Sequence, residues 1–229
     1  MATTSSNDNK NSLDYIVFFD LDRTLTGKIS GRELVKTAFK SGLMSNSDLL
    51  YAFYLSVAYK FRLKDPVSII DAMAAWVKDL PENRLALLYS KVFHEDLLPS
   101  LYPDAEKEIA KHKERKAKTV ILSSSLKQLC MEMANYLGMD DVICSELEII
   151  NGIYTGLSLG AYCFGEEKAV RLKKYCEKNN STADKAWYYG DSISDLPVLS
   201  SVGYPVCVNP DNKLKKAARQ NKWPVVNWQ

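Results

Sequence analysis

Tyr15-Ile16-Val17-Phe18-Phe19-Asp20-Leu21-Asp22-Arg23-Thr24 is the stretch on which the fold turns. Its first five residues are apolar with no polar alternation, the pattern of a strand buried on both faces of a parallel sheet. Similar short runs recur at residues 119–122, 186–189 and 205–208. Helix-like segments lie between them, at residues 105–115, 126–137, 166–178 and 195–201. Strand and helix alternating in this way predict an α/β protein with a doubly wound, Rossmann-like parallel sheet.

The first two runs are separated by roughly a hundred residues, where a simple crossover needs about a dozen. Almost all of that interval is helical in pattern, over residues 30–40, 46–62, 66–78 and 81–97. Pro66 and Pro81 stand where a first helical residue is expected. The chain therefore divides into a leader and first strand (1–27), an inserted helical cap (28–99) and the remaining α/β core (100–229). A smaller insertion at residues 146–155 reads as two strands around Asn151-Gly152, the signature of a type I′ turn.

Composition excludes several classes. The 229 residues are 46% hydrophobic and 25% charged, as in ordinary globular proteins rather than disordered chains. Thirty basic and 28 acidic side chains leave a net charge of +2, which gives no reason to expect a nucleic-acid partner. The polar residues 1–14 read as a disordered leader, with neither a secretory signal nor a lipid anchor. The most apolar window, residues 49–63, is broken by Lys60 and Arg62 and is too short for stable membrane insertion. Cys130, Cys144, Cys163, Cys176 and Cys207 are widely spaced with no C-x-x-C pair, so buried reduced thiols and a cytoplasmic location are expected. His94 and His112 lie in polar helical stretches without partners in sequence and read as surface residues. Oligomeric state is not encoded in any of these features.

Four constellations can carry chemistry. Asp20 and Asp22 follow a buried strand, at the edge where open α/β sheets bind ligands; the same pair could be turn-capping aspartates. Tyr189-Gly190-Asp191-Ser192-Ile193-Ser194-Asp195 follows a second strand, and Asp195 could equally be a helix N-terminal residue. Carboxylates gathered at two strand ends suit Mg²⁺, which takes oxygen ligands. Ser123-Ser124-Ser125 follows a third strand and is either a phosphate cradle or an N-cap. Lys168, near a helix start, gains meaning only beside the other three.

In order, Phe18-Phe19-Asp20-Leu21-Asp22-Arg23-Thr24-Leu25, Leu122-Ser123, Lys168 and Gly190-Asp191-Ser192 with Asp195 resemble the four motifs of the haloacid dehalogenase-like hydrolases. The helical insertion is similar to the cap of the phosphoserine-phosphatase-like branch, and Cys207-Val208-Asn209-Pro210-Asp211 is similar to one part of that branch. The resemblance implies hydrolysis of a small phosphomonoester through an aspartyl phosphate. In it Asp20 is the nucleophile and Asp22 the acid and base. Asp20, the Asp22 backbone carbonyl and Asp191 hold Mg²⁺. Ser123 and Lys168 bind the phosphoryl group, Thr24 supports it, and Asp195 assists at the metal shell or orients Lys168. An acid at position 22 separates this pattern from dehalogenases, whose halide leaves without a proton.

There are departures from the branch. Arg23 stands where many relatives have Gly. Lys78-Asp79-Leu80-Pro81 is present, but Ile29 and either Asp71 or Met73 occupy positions where phosphoserine-specific relatives carry Glu and Arg. Poor phosphoserine activity is therefore expected. Tyr51, Phe53, Tyr54, Tyr59 and Phe61 form an aromatic stripe that either packs in the cap or lines an apolar substrate pocket. A phosphotransferase or mutase using the same intermediate, and a non-catalytic phospho-ligand binder, are the alternatives to a phosphatase.

Overall fold

The computed structural model describes residues 15–60 and 74–229. The expected leader, Phe61, the helix start at Pro66, Asp71 and Met73 lie outside the described residues, as does the side chain of Tyr59.

Six strands form one parallel sheet: β1 (Ile16–Phe19), β2 (Lys118–Leu126), β3 (Asp141–Ser145), β6 (Trp187–Gly190), β7 (Tyr204–Val208) and β8 (Val225–Val226). A separate antiparallel hairpin pairs β4 (Leu147–Ile150) with β5 (Ile153–Ser158). The sheet order is β3-β2-β1-β6-β7-β8, so the winding reverses beside β1. Crevices at such reversal points, outside the carboxyl ends of the strands, are where open α/β sheets bind ligands.

β1 is wholly buried. Its side chains alternate between two cores, Val17 and Phe19 in one, Ile16 and Phe18 in the other. Burying each such side chain contributes roughly 1.5–3 kcal/mol, which is why this segment needs no polar face.

The helices are α1 (Ser30–Lys40), α2 (Asn46–Lys60), α3 (Glu82–Val92), α4 (Pro103–Glu114), α5 (Lys127–Leu137), α6 (Glu166–Lys178), α7 (Leu196–Leu199) and α8 (Asn212–Asn221). Ala105, Ile109, Leu129 and Met133 bring α4 and α5 to the core that holds Phe19. Leu172, Val198 and Leu214 bring α6, α7 and α8 to the other. Between β1 and α4 the described chain is helical: α1, α2, a 3₁₀ turn at Ala75–Val77, and α3. The expected single helix over 81–97 gives way to a π-turn at Phe93–Leu97 and a 3₁₀ turn at Leu98–Ser100, because Pro99 cannot continue an α-helical ladder.

The hairpin turn is as expected. Asn151 and Gly152 have φ of 52° and 77°, and a type I′ turn requires positive φ at both central residues. Backbone bonds lace the hairpin to the segment before α3: Asp79 N donates to Tyr154 O (2.9 Å), Tyr154 N to Leu80 O (3.0 Å) and Glu82 N to Gly152 O (2.9 Å).

Two expectations need correction. His112 is not a surface residue; it is 2% exposed, bonded through Nδ1 to the Tyr15 hydroxyl (3.0 Å) and through Nε2 to that of Tyr189 (2.8 Å). The Tyr189 hydroxyl donates its one proton to Glu108 (2.9 Å), so His112 is Nε2-protonated and accepts from Tyr15 at Nδ1. The second correction concerns the aromatic stripe. Tyr51, Phe53 and Tyr54 are 46%, 69% and 49% exposed, so these three are not core residues.

Candidate active site

Sheet register builds the site. Phe19 pairs with Ile121 on one side and Tyr189 on the other. One residue further on, Asp20 stands level with Leu122 and Gly190, and its N–H donates to Tyr189 O (2.9 Å). Ser123 and Asp191 follow directly on the flanking strands. Gly190 is required by crowding here: a Cβ at this position would lie 2.8 Å from a Tyr188 ring carbon and 2.9 Å from an Asp195 carboxylate oxygen.

Lys168 is the third residue of α6, and its side chain is buried in the sheet's carboxyl edge. Nζ donates to Asp195 Oδ1 (2.7 Å), Asp20 Oδ1 (3.0 Å) and the Tyr188 hydroxyl (3.0 Å). Burial alone would drain its charge, but Asp195 and Asp20 more than offset that and hold its pKa well above the ordinary lysine value. Asp195 makes two kinds of contact. It closes a capping box with Ser192 and pairs with Lys168. Tyr188, which the sequence does not mark as functional, donates to Asp195 Oδ1 (2.8 Å) and so completes the lysine's surroundings.

Asp20, Asp191 and Asp195 each offer a carboxylate oxygen, all within 4.8 Å of one another and all buried. Burial, then the neighbouring Asp20 and Asp195, push Asp191 up to about 9. Burial likewise raises Asp20, with Lys168 pulling the other way. Hard oxygen donors this close, with one ammonium among them, fit a small divalent cation such as Mg²⁺. Thr24 adds a buried hydroxyl with no hydrogen-bond partner among the described residues.

Asp22 lies apart from that cluster. Its carboxylate accepts from Ser30 N (2.9 Å) and Ser30 Oγ (3.0 Å) and lines a cleft of about 180 Å³ between core and α1. Burial, then repulsion by Asp20, raise it to about 6. The cleft is otherwise walled by Leu34, Val35, Trp76, Val77, Leu126 and Leu147, with serines and a tyrosine; among its described lining residues Asp22 carries the only charge. The described members of the aromatic stripe are absent from that lining.

Ser123 is buried, its Oγ donates to Ser125 Oγ (3.2 Å), and its hydroxyl opposes the rise of the Asp20 pKa. It does not begin a helix as one reading had it: β2 runs through the three serines with an irregular register after Leu122, and α5 starts at Lys127. Arg23 is exposed with φ of 60°. Asp211 also escaped the sequence reading as a site residue. Its N–H donates to Asp191 O (2.9 Å), its Oδ2 accepts from Ile193 N (3.0 Å), and its Oδ1 caps α8, so the loop carrying Asp191 is pinned from behind. An Asp preceding an amphipathic run is a legible N-cap, and that was the available signal.

The profile of haloacid dehalogenase-like hydrolases matches residues 17–200. A protein of Mycobacterium tuberculosis (strain ATCC 25618 / H37Rv) named a probable phosphatase is 28% identical over 218 residues, 92% of this chain and 74% of its own. A histidinol-phosphatase of Neisseria meningitidis serogroup C (strain 8013) is 27% identical over 220 residues, 93% of this chain and 98% of its own. A solved structure of a phospho-aspartyl intermediate analogue of phosphoserine phosphatase superposes with a TM-score of 0.69 at 16% identity, covering 92% of this chain and 91% of that one. Among the described residues no helix is long and apolar enough to cross a membrane.

Proposed function

Because the chain belongs to the haloacid dehalogenase-like hydrolase family, we propose that this phosphoric monoester hydrolase is Mg²⁺-dependent and works through a phosphorylated Asp20. One observation carries the reading: two aspartates two residues apart occupy opposite surroundings. Asp20 sits in the charged cluster with Lys168 and Asp191, while Asp22 faces the uncharged cleft. Carboxylates whose surroundings differ in this way divide into nucleophile and acid.

In the first step an Asp20 carboxylate oxygen attacks phosphorus and the ester P–O bond breaks. The proton held at Asp22 passes to the leaving oxygen, and the alcohol departs. In the second, Asp22 takes a proton from water, the new hydroxide attacks phosphorus, and the acyl-phosphate bond breaks to free Asp20 and inorganic phosphate. Ser123, Lys168 and Thr24 hold the phosphoryl oxygens; Asp195 and Tyr188 keep the Lys168 ammonium charged and aimed. Asp20, Asp191 and the Asp22 backbone carbonyl would hold Mg²⁺, which neutralises charge on phosphate and carboxylate when bound.

The cap is residues 28–99, and the leaving group lies against its α1. Among the described residues the cleft's walls carry no charge besides Asp22, which favours an apolar, uncharged alcohol over serine, whose ammonium and carboxylate need partners. Five free, buried cysteines support a cytoplasmic, reducing setting.

The test is a panel of phosphomonoesters with Mg²⁺, including alkyl and aryl phosphates, phosphoserine and, given the Neisseria relative, histidinol phosphate. Asp20→Asn is expected to lose ~10⁵-fold in kcat, as when other covalent nucleophiles are removed. An Asp20→Asn protein with full activity, or a wild type inert towards every ester, ends the proposal. Preference for phosphoserine over alkyl phosphates ends the reading of the cleft alone.

A further inference from the structure

We infer that Ser30 and Ser125 are positioning residues for Asp22, so that the start of α1 holds the acid of the core; this rests on the proposed role of Asp22. Ser30 opens α1, and its backbone N–H is one of the donors a helix leaves unsatisfied at its start. The preceding residue, Ile29, has no side chain with which to cap it. Asp22 supplies the cap from eight residues upstream in sequence, taking Ser30 N on Oδ1 at 2.9 Å and Ser30 Oγ on Oδ2 at 3.0 Å. Bonds to both oxygens from one rigid residue fix the two torsions of the aspartate. A remaining lone-pair position can carry the proton delivered to the leaving oxygen.

Ser30 is held in turn. Its Oγ lies 2.7 Å from Ser125 Oγ, and both side chains are buried. With Asp22 ionised, the single Ser30 hydroxyl proton goes to the carboxylate, so Ser30 accepts the proton of Ser125.

Docking of α1 on the core is the rival explanation of the same bonds, and leaving groups separate the two. p-Nitrophenolate departs without a proton, whereas an alkoxide needs one, so loss of a correctly placed acid slows alkyl esters selectively. The experiment compares kcat/KM for n-butyl phosphate and p-nitrophenyl phosphate, with Mg²⁺ at saturation, in wild type, Ser30→Ala, Ser125→Ala, Ser30→Thr and Asp22→Asn. A misplaced acid should cost Ser30→Ala ~10- to 100-fold on the butyl ester, within the range of acid catalysis as a whole, and less than about threefold on the nitrophenyl ester. Ser125→Ala should lose in the same direction but less. Ser30→Thr, which keeps both donors, should restore the butyl ester.

Equal losses on both esters in Ser30→Ala and Ser125→Ala would assign the serines to docking and overturn the inference; so would no loss on either. If Asp22→Asn itself shows no selective loss on the butyl ester, the acid has been misassigned and the inference fails with it. A selective loss in Asp22→Asn without one in the serine variants leaves the mechanism standing and removes the serines from it.

Discussion

Two buried polar groups flank the same strand, and they are built on opposite principles. Behind the sheet, His112 links Tyr15, Tyr189 and Glu108 in a network where every proton has one place to go. At the strand ends, Asp20, Asp191 and Asp195 cluster with Lys168, three carboxyl groups beside one ammonium. The first network is complete as it stands. The second, with every carboxyl ionised, would be two charges short of neutrality in a buried setting, where uncompensated charge is expensive, and Asp191 therefore keeps its proton at neutral pH. Adjacent residues of β6, Tyr188 and Tyr189, point into the two and show how little sequence separates a structural polar cluster from a reactive one. Saturation marks the former, and an excess of carboxyls is what the proposed cation and phosphate would complete.

That contrast can be broken experimentally. The largest effect is expected at Lys168. Lys168→Met removes the ammonium that touches both Asp20 and Asp195, and kcat should fall ~10³-fold, as for other lost charge-stabilising donors. Removing one side of a buried ion cluster should also destabilise the metal-free protein by about 3–5 kcal/mol, read by denaturant melting. Wild-type activity in this variant would remove the distinction between the two clusters.

Next is the titration of Asp191. With its pKa pushed up to about 9, the free carboxyl is protonated at neutral pH, and a bound cation must displace that proton. Mg²⁺ affinity should therefore climb ~tenfold per unit between pH 6 and 9, followed by calorimetry. The sign follows from the upward shift. The protonated group's contribution to stability is present at low pH and is lost as pH rises through about 9. A flat affinity over that range would show that the deficit is compensated elsewhere.

The smallest functional effect is expected behind the sheet. His112→Ala should cost about 3 kcal/mol by stranding the Tyr15 and Tyr189 hydroxyls, yet leave kcat within about twofold. Burial lowers the His112 pKa, so the folded state prefers the neutral ring. Stability is then intact above the unfolded imidazole's pKa of ~6.5 and is lost as pH falls below it. The wild-type Tm should drop on acidification more steeply than that of the variant. An activity loss as large as that of Lys168→Met would join the two networks into one functional unit.

The strand ends and the site aspartates were legible because buried parallel strands write continuous apolar runs and carboxylates stand out beside them. Edge elements were not. β3 is only half-buried and begins with Asp141, and β8 has two residues, too few for any period to register. His112 was misread because its helix face is polar around it; its partners Tyr15 and Tyr189 come from distant strands that only the fold assembles. Ser30 and Tyr188 were silent for the same reason, and Ser125 stood out only within a serine run read as a phosphate cradle or N-cap. Hydroxyls are common on any chain, and nothing local marks one whose partner is 95 residues away.

The hairpin's lacing to residues 79–82 bears on how the inserted helices can move. The two crossings between core and insertion lie together, with Gly27 N donating to Ser100 O (2.8 Å) and Tyr102 N to Leu25 O (2.9 Å), and so form a single axis. A body hung from one axis keeps one rotational degree of freedom. The bonds from Tyr154 and Gly152 attach far along the chain from that axis and oppose rotation about it. If residues 28–99 act as the cap proposed above, this third attachment makes the aperture above the strand ends a gauge with set walls more than a swinging door.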